Sequence, residues 1–423
     1  MMNNAFLKSF TTLQQVYNEK AFSSIVLNRT LHFCKAQDKA LITKLVYGVL
    51  DNDIKLTYVI SKYVKKMPKG DTLIFLKMGT YCLMELSIPV YAVVNDIAEL
   101  AKVTEDKRLV GFVNATLKSI AKTVKGFDDY PTDEVENYSV RYSYPLWALK
   151  KLVKDYGKQI AFQIVSSPQE NRTTARFANG LDATEIQTMY NLQVEATPFE
   201  DAFYIEGKLP TMDSNFTVQS LSSMAIAHIC ANGANGNFLD CCSAPGGKAV
   251  YVKQLAPSLQ VTACDVHEHR VALIDAYAKR MGVQIATTTQ DMTQYHEPFD
   301  SAFDTVLCDV PCSGFGVLNN RPDIKLFRES MDISNLMKLQ QDILQNCSKY
   351  VKVGGRLVYS TCTIFENENG QNIKKFLKNN PNFELGTIVL PQYPSANGGS
   401  TYQFLPHKDN TQGFFVAVLQ RKE

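Results

Sequence analysis

No stretch of the 423-residue sequence is an uninterrupted apolar run long enough to cross a bilayer. The opening MMNNAFLKSF has no apolar core of signal-peptide length, and the most apolar stretch, residues 71–94, is broken by Lys77 and Glu85. A soluble cytoplasmic chain with no membrane partner is the expectation. The ten cysteines include no CxxC pair and are spread through a long chain, which argues against a zinc ribbon or a disulfide scaffold. Cys264, His267 and His269 come closest to a ligand set, but they spread around a helix start, so no metal is expected. The dinucleotide fingerprint GxGxxG is missing. The one glycine turn that follows a strand has Cys242 where a phosphate-cradling P-loop needs glycine, and Ala249 where it needs Ser or Thr. No internal repeat or low-complexity tract is visible.

What the chain does contain is an uneven charge distribution. The formal charge of +2 hides an amino-terminal segment, residues 1–127, with 18 basic against 10 acidic residues, and a remainder with 26 against 32. A basic module of that kind is one footprint of nucleic-acid contact, and also a common solvated face. Its apolar residues recur at helical spacing, as in Ala92, Val93, Asp96, Ile97, Leu100 and Val103, so an all-helical domain is expected over 1–127. Residues 126–145, rich in Asp, Tyr, Pro and Ser, read as a linker leading to a short helix at 147–156. A small α+β module should follow, to residue 215, with extended runs at 173–177 and 202–206.

From residue 216 short apolar strands alternate with amphipathic helices, the pattern of a parallel sheet covered on both faces. Strands are expected at 237–241, 261–265, 284–288, 305–309, 356–360 and 414–419, and helices at 248–255, 267–281, 333–351 and 366–377. The first strand runs into Asp240-Cys241-Cys242-Ser243-Ala244-Pro245-Gly246-Gly247-Lys248. Such a turn offers backbone N–H groups and a helix N-terminus to a ligand at the carboxyl ends of the strands. The second strand ends at Asp265, from which a carboxylate can accept hydrogen bonds from ribose hydroxyls, and the third leads to Asp291, suited to an adenine amino group. The fourth runs into Asp309-Val310-Pro311-Cys312-Ser313-Gly314 and the fifth into Ser360-Thr361-Cys362-Thr363. A single cysteine is usually a small buried hydrophobe. Two at adjacent strand ends, beside a cofactor loop, suggest chemistry.

At these residues the sequence resembles the RNA cytosine-5 methyltransferases, whose signatures are a DxCxAPGGK cofactor loop, a DxPCSG loop and an STCT/S loop. All three occur in the expected order and spacing. The helical amino-terminal part resembles the NusB antitermination-factor fold, and Arg321-Pro322-Asp323-Ile324-Lys325 resembles the RPDIK segment of the bacterial ribosomal RNA small subunit methyltransferase B subfamily. The resemblance implies an α/β Rossmann-like S-adenosylmethionine-dependent methyltransferase domain over 216–423, preceded by an all-α NusB-like RNA-binding domain and the α+β module of 128–215. It implies that Cys362 makes a covalent bond to the base, that Cys312 helps release product, and that Lys248 lies near both cofactor and base. Asp309 is suited to hydrogen-bond the N3 and amino edge of the base. Contacts to S-adenosylmethionine are expected from Cys242, Ser243, Ala244, Pro245, Gly246, Gly247 and Lys248, and from Asp265, Arg270, Asp291 and Asp309. The implied partner is 16S ribosomal RNA with an unpaired or flipped cytosine, engaged by a monomeric enzyme.

Other readings share some of these residues. A transfer-RNA methyltransferase would carry every catalytic motif, and a NusB-like assembly factor could keep a vestigial catalytic half. The cluster Lys62, Lys65, Lys66 and Lys69 could grip phosphates or simply be solvated. Arg176-Phe177-Ala178-Asn179 approximates the family's RVN element.

Overall fold

The computed structural model describes residues 4–104, 107–167, 172–177, 180–207 and 209–423, leaving aside the side chains of 103, 104, 107 and 108. The chain forms two compact units: residues 1–167 together with 318–328, and residues 168–317 together with 329–423. No helix among the described residues is long and apolar enough to cross a membrane.

The first unit is helical: α1 (Asn4–Glu19), α2 (Ser23–His32), α3 (Ala36–Asp51), α4 (Asp53–Ser61), α5 (Gly70–Glu85), α6 (Val90–Thr104), α7 (Lys107–Ala121), α8 (Glu134–Arg141), α9 (Leu146–Tyr156) and α10 (Lys158–Ser166). One face of most of these helices packs into a common core that includes Phe6, Phe10, Leu45, Val49, Phe75, Ile97 and Leu117. The helical unit continues past residue 127, and the stretch read as a linker contains α8. Asp133 caps that helix by accepting from Glu136 N, and Glu134 and Glu136 add negative charge to its first turn, so its acidic composition is helix-start chemistry.

The second unit begins with a four-stranded antiparallel sheet in the order β2-β3-β1-β4, made of β1 (Thr173–Phe177), β2 (Gln193–Ala196), β3 (Ala202–Glu206) and β4 (Phe216–Val218). Helix α11 (Ala183–Tyr190) is set by a capping box between Asp182 and Glu185 and buries Ile186 against Ala175, Phe177 and Phe216. Arg176 is almost wholly buried: it donates to Gln219 and Gln254 and lies 4.0 Å over the Tyr251 ring. Ala178 and Asn179, the rest of the RVN-like element, lie outside the described residues.

The larger sheet follows, with α12 (Leu221–Ala231), β5 (Asn237–Asp240), α13 (Gly247–Leu255), β6 (Gln260–Asp265), α14 (Glu268–Arg280), β7 (Ala286–Thr289), β8 (Phe303–Asp309), α15 (Asp323–Phe327), α16 (Ser330–Tyr350), β9 (Val351–Thr361), α17 (Gly370–Asn379), β10 (Phe383–Leu385), β11 (Thr401–Phe404) and β12 (Phe414–Arg421). Its order is β10-β12-β9-β8-β5-β6-β7, with β11 paired to β12. Strands β5 to β9 pair in parallel, as expected, whereas β12 runs antiparallel to β9, β10 and β11. The sheet is therefore mixed, and the expectation of parallel pairing throughout is corrected at this edge. A run such as Phe414 to Leu419, buried on both faces, does not encode direction.

The face each side chain takes alternates with period two. Phe238, Ala263, Leu307, Val358 and Val416 face the core that contains α12 and α13, while Leu239, Cys264, Val306, Leu357 and Phe415 face Ile343, Leu344 and Phe376 of α16 and α17. The segment 318–328, which contains the RPDIK residues and α15, belongs to the helical unit. There Ser23 donates to Asp323, Lys325 Nζ donates to Asp51 O at 3.0 Å, and Leu326 and Phe327 pack on the core.

Within the helical unit Lys77, only 5% exposed, donates to Asp53 Oδ1 at 2.5 Å, and the same oxygen accepts the Tyr17 hydroxyl. An ion pair removed from water is costly to break from one side. Asp53→Ala should therefore weaken this unit by about 3 kcal/mol in urea unfolding. An unchanged midpoint would mean that water reaches the stranded ammonium.

Candidate active site

Strand β5 lies where the chain order of the sheet reverses, between β6 and β8, and ligands of open α/β sheets bind at the carboxyl ends around such a point. Asp240 closes β5. It is 1% exposed, and its Oδ1 has no hydrogen-bond partner among the described residues. Burial first, and then the negative charge of Asp309, push its carboxyl up to about 7, against the opposing pull of Lys248. The turn that follows is pinned by Cys241 N to Leu307 O (3.0 Å), Ser243 N to Cys264 O (2.7 Å) and Gly246 N to Ser243 O (2.7 Å). It contains the cis peptide Ala244–Pro245. Gly246 has φ +101°, and a Cβ there would meet Ile274 Cγ2 at 3.0 Å, so glycine alone suits this step into α13.

The neighbouring strand ends bring the other expected residues to the same edge. Asp265 is buried, and its Oδ1 lies 3.2 Å from Arg270 Nη1 and accepts from His267 N at 3.3 Å. Arg270 also donates to Ala244 O at 3.4 Å, tying the glycine turn to the start of α14. Asp291 lies two residues beyond β7, with Oδ1 accepting from Thr293 N (2.9 Å) and Thr293 Oγ1 (2.7 Å).

At the ends of β8 and β9, Lys248 Nζ donates to Asp309 Oδ2 at 2.6 Å and Ser360 Oγ donates to Asp309 Oδ1 at 2.6 Å. Burial pulls the Lys248 pKa down, but Asp309 outweighs it and holds the ammonium above its ordinary value. Cys312 and Cys362 are both half-buried free thiols, and their sulfurs lie 3.2 Å apart. The loop from Cys312 is stitched to its neighbours: Gly316 N donates to Cys362 O at 3.0 Å, and Gly413 N donates to Gly316 O at 2.8 Å. A Cβ on Gly316 would fall 1.8 Å from Gly413 O.

Behind the thiols lies a buried polar network that the sequence reading missed. Glu368 Oε2 accepts Ser313 N and Gln340 Nε2, both at 2.9 Å, and Oε1 accepts Ser313 Oγ at 2.5 Å. Thr361 Oγ1 donates to Asn369 Oδ1 at 2.6 Å, and Asn369 Nδ2 donates to Thr363 O at 3.0 Å. The sequence signal was the polar run Glu366-Asn367-Glu368-Asn369 directly after the Cys362 loop, which reads as ordinary helix-start chemistry.

Among the described residues, Cys241, Cys308 and Cys347 are the group whose ligand atoms all lie within 4.8 Å of one another. They sit in the apolar core beside Leu239, Val306 and Leu344, with no fourth donor grouped with them, so packing accounts for them. Cys264, His267 and His269 form no such group; the two imidazoles stack at 5.4 Å. Lys62, Lys65, Lys66 and Lys69 are exposed in and around the loop between α4 and α5, and Lys62 pairs with Asp129 at 2.9 Å.

The donor set suits a nucleoside cofactor that carries a positive charge. Backbone N–H groups line the glycine turn, carboxylates stand at the ends of two further strands, and the unpartnered oxygen of Asp240 lies buried at the switch point. The raised Asp240 also makes a stability prediction. Unfolded, it ionises near 3.8, and folded near 7, so between these values the unfolded chain binds fewer protons and stability falls as pH rises. The advantage of Asp240→Asn over the parent in thermal melting should therefore grow from pH 4 to pH 7 and stay constant above it. A difference that is flat with pH would mean that the folded protein keeps Asp240 ionised throughout.

Two family profiles match the chain: one described as the 16S rRNA methyltransferase RsmB/F family, over residues 228–420, and the NusB family, over residues 6–122. The Bacillus subtilis protein named probable ribosomal RNA small subunit methyltransferase B is 31% identical, over 96% of this chain and 95% of its own length. The Escherichia coli K12 ribosomal RNA small subunit methyltransferase B is 30% identical over 97% of both chains. Among solved structures, PH0851 has a TM-score of 0.81 at 21% identity, covering 100% of this chain and 99% of its own. NSun6 from Pyrococcus horikoshii, solved with the S-adenosylmethionine analogue SFG, has a TM-score of 0.56 at 20% identity, over 65% of this chain and 97% of its own. With the mixed sheet and its cofactor edge in place, the chain belongs to the ribosomal RNA small subunit methyltransferase B family of S-adenosylmethionine-dependent methyltransferases.

Proposed function

We propose that the chain methylates C5 of an unpaired cytosine in 16S ribosomal RNA, with Cys362 Sγ bonded to C6 of the base during the reaction. The observation that carries this reading is the pair of thiols 3.2 Å apart at adjacent strand ends, next to the Lys248–Asp309 pair. Cytosine C5 is a poor nucleophile until a group adds to C6, and a thiolate is suited to that addition. S-adenosylmethionine, when bound, supplies an electrophilic methyl group. The turn from Cys242 to Lys248, with Asp265, Arg270 and Asp291, would hold it.

The chain's own residues do the rest. Cys362 Sγ adds to C6, and the displaced π electrons make C5 nucleophilic. Asp309, oriented by Lys248 and Ser360, meets the N3 and amino edge of the base. After C5 has taken the methyl group, a base removes the C5 proton; the C–H electron pair re-forms the C5=C6 bond, and the C6–S pair returns to Cys362. Cys312 stands beside the leaving sulfur and assists release. The cytosine must leave any stack to reach these groups. The basic residues of 1–127 support an RNA substrate, as do the names of the relatives.

Labelled methyl should pass from S-adenosylmethionine to purified 16S RNA and appear as 5-methylcytidine on nucleoside analysis. Label confined to transfer RNA would discard the ribosomal target, and label in neither would remove the enzymatic reading. Cys312→Ala should accumulate a covalent RNA adduct on denaturing gels, whereas Cys362→Ala should neither trap nor turn over; an adduct with the latter would reverse the two roles. Charge reversal at Lys65, Lys66 and Lys69 should weaken RNA binding and flatten its salt dependence. Unchanged binding would take this loop out of the interface.

A further inference from the structure

Glu368 takes no part in the reaction just described, yet it is fully buried, and no lysine or arginine pairs with it among the described residues. Burial raises its carboxyl above the ordinary value, hydrogen bonds from Ser313 and Gln340 pull it back, and a buried carboxylate costs several kcal/mol unless donors replace its water. The donors come from both sides of the site. Ser313 gives its N–H and its hydroxyl, and that hydroxyl lies 2.7 Å from Thr363 Oγ1. Gln340 gives its amide to Glu368 and to Pro311 O, at 2.9 and 3.0 Å, and its own oxygen is fixed by Asn372 Nδ2 at 2.8 Å. Ser313 follows Cys312 and Thr363 follows Cys362, so one carboxylate governs the residue next to each thiol.

We propose that Glu368 is a positioning residue that locks the two thiol loops in register and makes the thiols inequivalent, leaving Cys362 as the nucleophile. The inference rests on the covalent reading above. Two thiols at 3.2 Å share one local environment except for the charges on either side. Cys362 acts electrostatically on Lys248, a cation. The groups that act most strongly on the Cys312 thiol are Cys362, Glu368 and Asp309, and Tyr359 interacts with it as well. The hydrogen bond to Cys362, then burial, then these negative charges push the Cys312 thiol up, so it keeps its proton. Tyr359 also feels Glu368, but its hydroxyl points to the Glu368 backbone, donating to Glu368 O at 2.7 Å. Cys312 thus keeps its proton beside Cys362 and can protonate the Cys362 sulfur as the C6–S bond breaks.

The test needs neither RNA nor cofactor. Iodoacetamide labelling of the full chain, read cysteine by cysteine with peptide mass spectrometry, should modify Cys362 first, and Cys312 only at higher pH. Glu368→Gln keeps an acceptor oxygen for Ser313 N and removes the charge, so the Cys362-to-Cys312 rate ratio should fall about tenfold for each unit by which the Cys312 pKa drops. Labelling at Cys362 itself should stay nearly constant, which general loosening of the loops would not produce. A folded Glu368→Gln protein with an unchanged ratio would overturn the proposal. Equal labelling of both thiols at every pH in the unaltered chain would do the same without any variant. If the ratio behaves as expected but no RNA is methylated, the functional reading fails and the inequivalence of the thiols stands.

Discussion

Parallel pairing of β5, β6, β7, β8 and β9 brings five carboxyl ends to one edge of the sheet, and the rest of the site depends on that register. Asp309 pairs with Ser360, so a hydroxyl two residues before Cys362 meets a carboxylate three residues before Cys312. Asp240 lies opposite Leu307 and next to Ala263, which puts the glycine turn between the ends of β6 and β8. A slip of one residue in β9 would turn Ser360 away from Asp309 and bring Leu357 and Tyr359 to the opposite face of the sheet. The apolar alternation that fixes the fold also fixes the geometry of the candidate site, because Val306, Cys308, Leu357 and Tyr359 occupy one face while Leu307 and Val358 occupy the other.

Charge in this edge is not balanced for stability. Lys248 moderates the Asp240 carboxyl against Asp309, and burial holds that carboxyl well above its ordinary value. An apolar residue in its place would remove a buried oxygen that has no partner. A chain selected for rigidity alone would not keep such a group at the switch point of its sheet. Local departures of this kind, in a domain otherwise consistent from pattern to packing, concentrate where ligands bind.

What the sequence made legible were features recorded within a few residues of one another. The strand ends, the glycine turn, Asp265, Asp291, Asp309 and both cysteines could be placed because apolar runs and turn residues mark where a strand stops. Long-range pairing left no such trace. Gln340 meets Glu368 across 28 residues, and Glu368 meets Ser313 across 55, so neither stood out from its neighbours. Lys325 reaches Asp51 across 274 residues, which no local pattern foretells for a segment flanked on both sides by the second unit. The antiparallel direction of β12 and the helix α8 were hidden for a different reason. A doubly buried strand reads the same in either direction, and an acidic helix start resembles a loop.

Two thiols separated by 3.2 Å also bear on how one reactive group is chosen from two. At that separation proximity alone does not select between them. Charge can, because a unit charge about 4 Å from a thiolate at an effective dielectric near 20 is worth roughly 4 kcal/mol, whereas about 1.4 kcal/mol already shifts a protonation equilibrium tenfold. Charges of opposite sign act on the pair, Lys248 with Cys362 and Glu368 on Cys312. On the proposed mechanism, the division of labour lies in the groups behind the thiols, which are held by β9, α16 and the turn before α17, more than in the thiols themselves. A related enzyme could exchange the roles of its two strand-end positions by moving a charge, without moving the backbone that presents them.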